Sequence, residues 1–492
     1  MGRTAWLLGL LVLLLYVVTG SGHIQTIDFQ LEQDVAQRIV HLHNFTTQWP
    51  IIRGAGAVAG VDGQHFAPHG LGMSLLLVPL TLLTDAVRPG DTAAANFVAS
   101  FVDAILAAAT AVVLFLLARD LGARTRVAIG TALILAVATL EWPYAHALFD
   151  VTATGFLILV AVFAAHRFAL RGGAGWLALS GGALGGAVLV RTQSVIVVPA
   201  LAAYVLWTAR PAGPRRILGA AAAWGLPLAA GMATVGWYNW VRFASPFNDG
   251  HGDDPNTTFH TPLLEGLTGL LASPGKSLLL FSPVLLLAIL GIPRFVRRHR
   301  ALAITSLAIV AVNLLLNAKV TNWTGDDAWG PRFMVPVLAL MLLPVLGWFE
   351  AEPRRWRIGL TAGLCTASVA VQLLGVGFDY LPLVDPVRAL HKDVWNARYA
   401  QVTVHALAAA DRLHLGVHDP IQRVGTDPTT DQNGLTIDLW WVHAAHRDTH
   451  RLLSALAVLA MVAGMAGAAL ALLLRLRPPP RPPRLRHLIR RA

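Results

Sequence analysis

Residues 70–87 read GLGMSLLLVPLTLLTDAV. They are apolar enough to cross a bilayer, and whether they do so decides on which side every later loop emerges. Working outward, apolar runs of near-spanning length recur at 5–19, 94–118, 126–142, 149–166, 174–190, 192–208, 216–238, 277–293, 301–318, 332–350, 356–376 and 451–474. Each approaches the ~17–25 residues that a bilayer core demands. With twelve spans, the arginine groups at 119–126, 167–171, 210–216, 294–300, 354–357 and in the tail RLRPPPRPPRLRHLIRRA all fall on one side. The positive-inside rule makes that side cytoplasmic. A thirteenth span at 70–87 would put every cluster outside, so this stretch is read as an interfacial or re-entrant helix with Pro79 at its middle.

Composition agrees. Of 492 residues, 55% are hydrophobic and 13% charged, more apolar surface than one water-soluble core can hide. The formal charge of +11 sits in short clusters between apolar runs, which argues against a nucleic-acid partner. The single cysteine, Cys365, excludes a disulfide within the chain and a cysteine-built metal site. The expected fold class is therefore an all-α polytopic membrane protein of about 12 transmembrane helices (11–13), with membrane-plane helices in the first external loop. Residues 5–19 also fit the apolar core of a signal peptide, but the charged segment behind them favours a retained first span. Both termini are then cytoplasmic, in a multi-pass membrane protein.

The expected organisation is a transmembrane module over 1–376 that includes the external loop 20–93. An external loop region (377–450), a last span (451–474) and a basic cytoplasmic tail (475–492) follow. The unusual polar segments all fall on the external side. In the first of them, Leu31, Val35, Ile39 and Leu42 recur at helical spacing, predicting a helix in the membrane plane. Asp28 stands at its start, close to the bilayer surface. A carboxylate there can serve as general base towards a hydroxyl, or simply cap the helix. Downstream, VDGQHFAPHG offers Asp62, His65 and His69. The two histidines are weak candidates for a divalent metal, because Pro68 opposes the helical geometry that would pair them; a turn with interfacial histidines is the alternative.

Three further groups carry charge. Lys276 follows a Ser-Pro-Gly turn where a helix starts, a place that suits an anionic phosphate or a snorkelling lysine equally. NWTGDDAWGPRF sets Trp323, Asp326, Asp327, Trp329 and Arg332 within one short loop, rings and acids suited to sugar faces and hydroxyls and an arginine suited to phosphate. Arg191 lies between two spans with little loop to solvate it, and an intramembrane cation is functional by default.

In their order, the acidic first loop, DGQHFAPHGLG, LVRTQS, WYNWVRFASPF, SPGKSLLLFSPVLL and WTGDDAWGPRFMVPVL resemble the GT-C superfamily of integral-membrane glycosyltransferases, within its protein-O-mannosyltransferase-like and aminoarabinose-transferase-like group. The resemblance covers the chain to about residue 376. It implies inverting transfer of a sugar from a polyprenyl-phosphate carrier to an acceptor hydroxyl at the outer face of the membrane. It also implies Asp28 as the first-loop acid, with Glu32 and Asp34 as competitors for the role. Asp62 to His69 match a segment where relatives keep an acid and a basic residue beside prolines; here histidines replace the permanent cation. In this scheme Asp28 is the base, Lys276, Arg332 and Arg191 hold the donor phosphate, and Asp62, His65, His69, Trp323, Asp326, Asp327 and Trp329 hold sugar and acceptor. The lipid-linked sugar is a substrate, the acceptor is left open, no nucleotide cofactor is expected, and the family does not decide the metal. A glycolipid transporter or flippase is the rival reading. It would place its ionisable residues at mid-membrane on broken helices, often in related halves, whereas here they gather in loops on one side and no repeat is visible.

Overall fold

A computed structural model describes residues 2–52, 56–210, 214–252, 258–325, 328–352, 354–379, 394–412, 437–446 and 451–476. Among these the chain is almost entirely helical, and a two-stranded antiparallel ribbon pairing Val58 with Phe66 and Ala59 with His65 is its one sheet. Among the described residues, eight helices are long and apolar enough to cross a membrane, or nine if the pair Thr125–Ala138 and Glu141–Ala147, bent by 52°, is one broken span. Gly2–Val18 and Ala174–Val190 fall on expected spans but are shorter. The span expected at 277–293 divides into Leu278–Phe281 and Leu285–Arg298, with Pro283 between them denying the helix a backbone donor.

Two helices frame the polar loop after the first, α1 (Gly2–Val18). Helix α2 (Ile27–Leu42) is capped by Thr26, whose hydroxyl accepts from the Phe29 amide, and closed by His43 in the left-handed conformation. Asp28 therefore lies in the first turn and is not the cap, and as an acid it suits the positive end of the helix. Leu31 and Val35 are buried as their spacing predicts, whereas Leu42 is exposed.

Residues 71–87 form one helix, α3 (Leu71–Val87), with Pro79 inside it. It packs on α2, and Ser74 donates to the Glu32 carbonyl. The chain enters α3 through Gly70 and Gly72, which lie directly against the backbone of Leu189 and Val190. A Cβ at Gly70 would collide with the carbonyl oxygens of both residues. This contact sets His69 beside Arg191, the residue after Val190.

The helices Ala174–Val190 and Pro214–Phe243 pack almost backbone to backbone, Gly181 against Trp224 and Gly185 against Gly231. Small residues permit this approach, and dispersion contacts between close backbones stand in for the hydrophobic drive that lipid removes. The apolar core runs from Leu8, Val12 and Tyr16 of α1 through Val102–Asp120 and Asp150–Arg171 to residues 334–348.

Candidate active site

The site is built on a helix break. Leu148 takes a positive φ of 57° between Glu141–Ala147 and Asp150–Arg171. Two polar contacts hold the break. The Thr26 hydroxyl donates to the Leu148 carbonyl at 2.9 Å, and the wholly buried Asp103 accepts from the Phe149 amide at 2.9 Å. Thr26 thus fixes the start of α2 to the start of the next long helix. Asp28 and Asp150, the first-turn acids of those helices, face one group of cations.

Arg332 opens the short 3-10 helix Arg332–Val337 and donates through Nη1 to the Asp28 carboxylate at 3.0 Å. Its guanidinium carbon lies 4.7 Å from the Phe149 ring centroid and 5.0 Å from that of Phe333, so one arginine is oriented by two aromatic faces. Arg191 reaches both oxygens of Asp150, at 2.9 and 3.2 Å, and lies over the other side of the cluster at 4.9 Å from Phe333. Its Nε donates to Gln193; Gln193 donates to Asn317 at 2.9 Å, and Asn317 donates to the Phe333 carbonyl. Both arginines are thus fixed relative to one another by a polar chain through three helices. His69 Nε2 stands 3.7 Å from the second Asp28 oxygen.

The Asp28 side chain keeps 43% of its surface accessible although protein crowds it on most sides, as expected of a carboxylate lining a cleft. Burial pushes its carboxyl up, but Arg332 first, then His69 and Arg191, outweigh this and hold it below the usual carboxylate range. Glu32, one turn on, is 1% exposed, and neither carboxylate oxygen has a hydrogen-bond partner among the described residues. Burial, then Asp150, Asp28 and Asp103, push it well above the usual range. The two first-loop acids are therefore pushed apart, Asp28 towards its ionised form and Glu32 towards its protonated form, a division of the kind acid–base sites exploit. Burial holds the His69 imidazole below its ordinary value against the pull of Asp28 and Asp150, so it favours its neutral form. The permanent cation beside Asp28 is Arg332, which supplies what His65 and His69 lack.

The remaining expected site residues have other surroundings. Asp34 accepts from the Thr47 hydroxyl at 2.5 Å and the Gln48 amide at 3.0 Å, pinning the loop after α2. The Lys276 ammonium is buried and donates to the carbonyls of Ala328 and Gly330. Trp329 is fully buried, edge to face with Phe281 and His405, and Trp323 packs over Gly269. Asp62 adopts a positive φ in an exposed turn, and His65 bonds the Trp49 carbonyl through Nδ1 at 2.9 Å. With that nitrogen engaged, His65 and His69 belong to no three-ligand metal group among the described residues. Asp326 and Asp327, and most of the expected loop region 377–450, lie outside the described residues, as does the tail from 477.

Sequence reasoning missed Asp150, Glu32's buried state and Arg242. Arg242 is 1% exposed and donates to the carbonyls of Ala67 and His69, so it fixes the turn that carries His69. Beside that turn lies a small cleft whose lining includes His69, Thr192, Tyr238, Arg242 and Asp249. The signal for Arg242 was its position within an apolar run, the same sign that pointed to Arg191.

Residues 92–234 match the family described as dolichyl-phosphate-mannose-protein mannosyltransferase. The structure is similar to ArnT from Cupriavidus metallidurans bound to undecaprenyl phosphate, with a TM-score of 0.50, 13% identity, and 80% of this chain and 73% of that chain covered. A likeness at this identity shows the fold. A weaker likeness is to the Archaeoglobus fulgidus oligosaccharyltransferase in its apo form, with a TM-score of 0.49, 10% identity, and 87% and 61% of the two chains covered. No curated protein sequence matches the chain. The cluster of Asp28, Glu32, Asp150, Arg191 and Arg332 is the candidate active site.

Proposed function

We propose that this chain transfers a sugar from a polyprenyl-phosphate donor to an acceptor hydroxyl at the outer face of a bacterial plasma membrane, with inversion at the anomeric carbon. The observation that carries the proposal is the contact between Asp28 and Arg332 at 3.0 Å in an accessible cleft beside the Arg191–Asp150 pair. Asp28 is the base that takes the proton of the attacking hydroxyl. Bond cleavage at the anomeric carbon leaves charge on the lipid phosphate, and Arg332 and Arg191 are preorganised to meet it. Arriving phosphate competes with Asp28 for Arg332, which frees the carboxylate to accept a proton when the donor is bound. Attack by the hydroxyl on the face opposite the departing phosphate gives inversion. The undecaprenyl phosphate bound by the similar ArnT supports the class of carrier.

Two basic residues and a neutral histidine around one ionised carboxylate suit a phosphate leaving group, which needs no general acid. The protonated Glu32 then helps keep the cleft's net charge from becoming too negative for an anionic donor. Lys276 acts in this scheme through the loop it holds, residues 328–330, which leads directly to Arg332.

The test is a bound-lipid measurement. Native mass spectrometry of protein extracted from its own membrane is expected to find a polyprenyl phosphate or its sugar ester, reduced in Arg332→Gln. Only bulk phospholipid on both proteins would contradict the donor assignment.

A further inference from the structure

Away from the acid–arginine cluster, three imidazoles and a carboxamide converge on one buried carboxylate. Asp438 is 1% exposed. His443 Nε2 lies 2.9 Å and His23 Nδ1 3.6 Å from its Oδ1, His146 Nε2 lies 3.0 Å from its Oδ2, and the Gln25 amide donates to Oδ2. The four partners come from three distant parts of the chain. His23 and Gln25 belong to the link between α1 and α2, His146 to the helix Glu141–Ala147, and His443 to the helix Trp440–His446.

The hydrogen bonds constrain what fills this cluster. His146 Nδ1 is 2.7 Å from the Thr19 carbonyl and its Nε2 3.0 Å from Asp438 Oδ2, two acceptors, so the ring holds the carboxylate by donating from both nitrogens. Such a histidine–carboxylate pair orients the carboxylate and leaves Oδ1 as its working oxygen. Around Oδ1, His23 and His443 are half-exposed and meet edge to face with centroids 5.5 Å apart. One ligand atom from each of His23, Asp438 and His443 lies within 4.8 Å of the other two.

We infer that His23, Asp438 and His443 form a site for a divalent transition-metal ion of the zinc class, with His146 and Gln25 holding the carboxylate and the ion displacing the long 3.3 Å contact of His23 Nδ1 with the Ser21 carbonyl. Zinc–nitrogen and zinc–oxygen bonds of ~2.0–2.2 Å in a tetrahedron put ligand atoms about 3.3 Å apart, between the 2.9 and 3.6 Å separations at Oδ1. Two imidazoles and one carboxylate oxygen suit zinc better than calcium or magnesium, which prefer all-oxygen shells. The two half-exposed rings leave the fourth position open to water, so the ion exchanges with solution. The site's place gives it a structural use. Trp440 and Trp441 already donate their indole N–H groups to the carbonyls of Val17 and Val18 at the end of α1, at 2.8 and 3.0 Å. A metal across His23 and His443 closes the same junction and fixes the link that runs from His23 to Thr26 and Asp28.

The test uses untagged full-length protein in detergent, stripped with chelator and titrated with cobalt(II) and then zinc. Wild type is expected to bind one equivalent of cobalt with the visible absorption of a four-coordinate site, to lose that band to zinc, and to gain thermal stability from zinc. His443→Ala and His23→Ala, which alter half-exposed side chains, are expected to weaken zinc binding at least ~10-fold and to abolish the stabilisation while remaining monodisperse. Glu265→Gln, on the exposed helix Leu263–Ala272, serves as a control that changes neither. Absence of the cobalt band in wild type, or zinc affinity unchanged in both histidine variants, overturns the site and leaves a metal-free imidazole–carboxylate cluster.

Discussion

Asp28 and Arg332 are 304 positions apart and meet at 3.0 Å. The first opens a helix in the polar loop behind α1; the second opens a 3-10 turn far downstream in the membrane block. Their contact sets both the ionisation of the candidate base and the place where phosphate charge is received, so most of the expectations below turn on it.

Replacing Arg332 with Gln removes the largest influence holding the Asp28 carboxyl down. A carboxyl depressed in the folded protein contributes stability above its ordinary value that is lost as pH falls through the depressed one. In Arg332→Gln the folded-state carboxyl is no longer held down, so that acid loss shrinks, while the acid limb of kcat/KM moves up. Parallel pH–rate profiles and pH-dependent melting check this; limbs that coincide would separate Asp28 from Arg332 functionally. Arg332→Lys is expected to restore little, because a point charge cannot stack between Phe149 and Phe333 as the planar guanidinium does.

Glu32→Gln should be nearly silent in turnover. Glu32 is buried, without a hydrogen-bond partner among the described residues and held protonated, so the amide replaces one neutral group with another of its size. Transfer within about threefold of wild type and a melting temperature equal or higher are expected. A loss as deep as that of an Asp28 variant would move the base from Asp28 to Glu32.

Arg191→Ala leaves Asp150 without its bidentate partner, close to Glu32 and Asp28. The expected cost is about 2 kcal/mol of stability, read by denaturation in detergent, together with weaker donor binding. Asp150→Asn with Arg191→Gln should recover much of the stability and none of the donor affinity, which distinguishes the pair's structural part from its phosphate-binding part.

Gly70→Ala tests the approach that brings His69 to Arg191. The added methyl meets the carbonyls of Leu189 and Val190, and displacement of α3 should cost about 1–3 kcal/mol. Gly63→Ala, where a Cβ meets nothing but the residue holds a φ of +68°, should cost less. Equal stability of the two variants would show that the turn before α3 is not tightly held.

Much of this was legible in the chain. Apolar periodicity and arginine spacing gave the helical membrane architecture, and 70–87 is indeed one helix with a proline inside it. Asp28, Arg191 and Arg332 stood out because each is a charge beside apolar runs, and the fold brings those three together. What stayed hidden depends on tertiary contact. Asp34 and Glu32 look alike along one helix, yet one is spent on the Thr47–Gln48 turn and the other is buried near Asp28, Asp103 and Asp150. Trp329 reads like a sugar platform by sequence neighbourhood, but its faces are taken by Phe281, His405 and Gly375. Asp150 gave no local sign, since its partner is a residue 41 positions away.

The base assignment is tested most directly by Asp28→Asn in a transfer assay with radiolabelled polyprenyl-phosphate sugar. The asparagine keeps size and hydrogen bonding to Arg332 but cannot take a proton, so transfer should fall by ~10²–10⁴-fold, with bound lipid carrier and melting behaviour little changed. Transfer at the wild-type rate in a correctly folded Asp28→Asn protein would contradict the central claim.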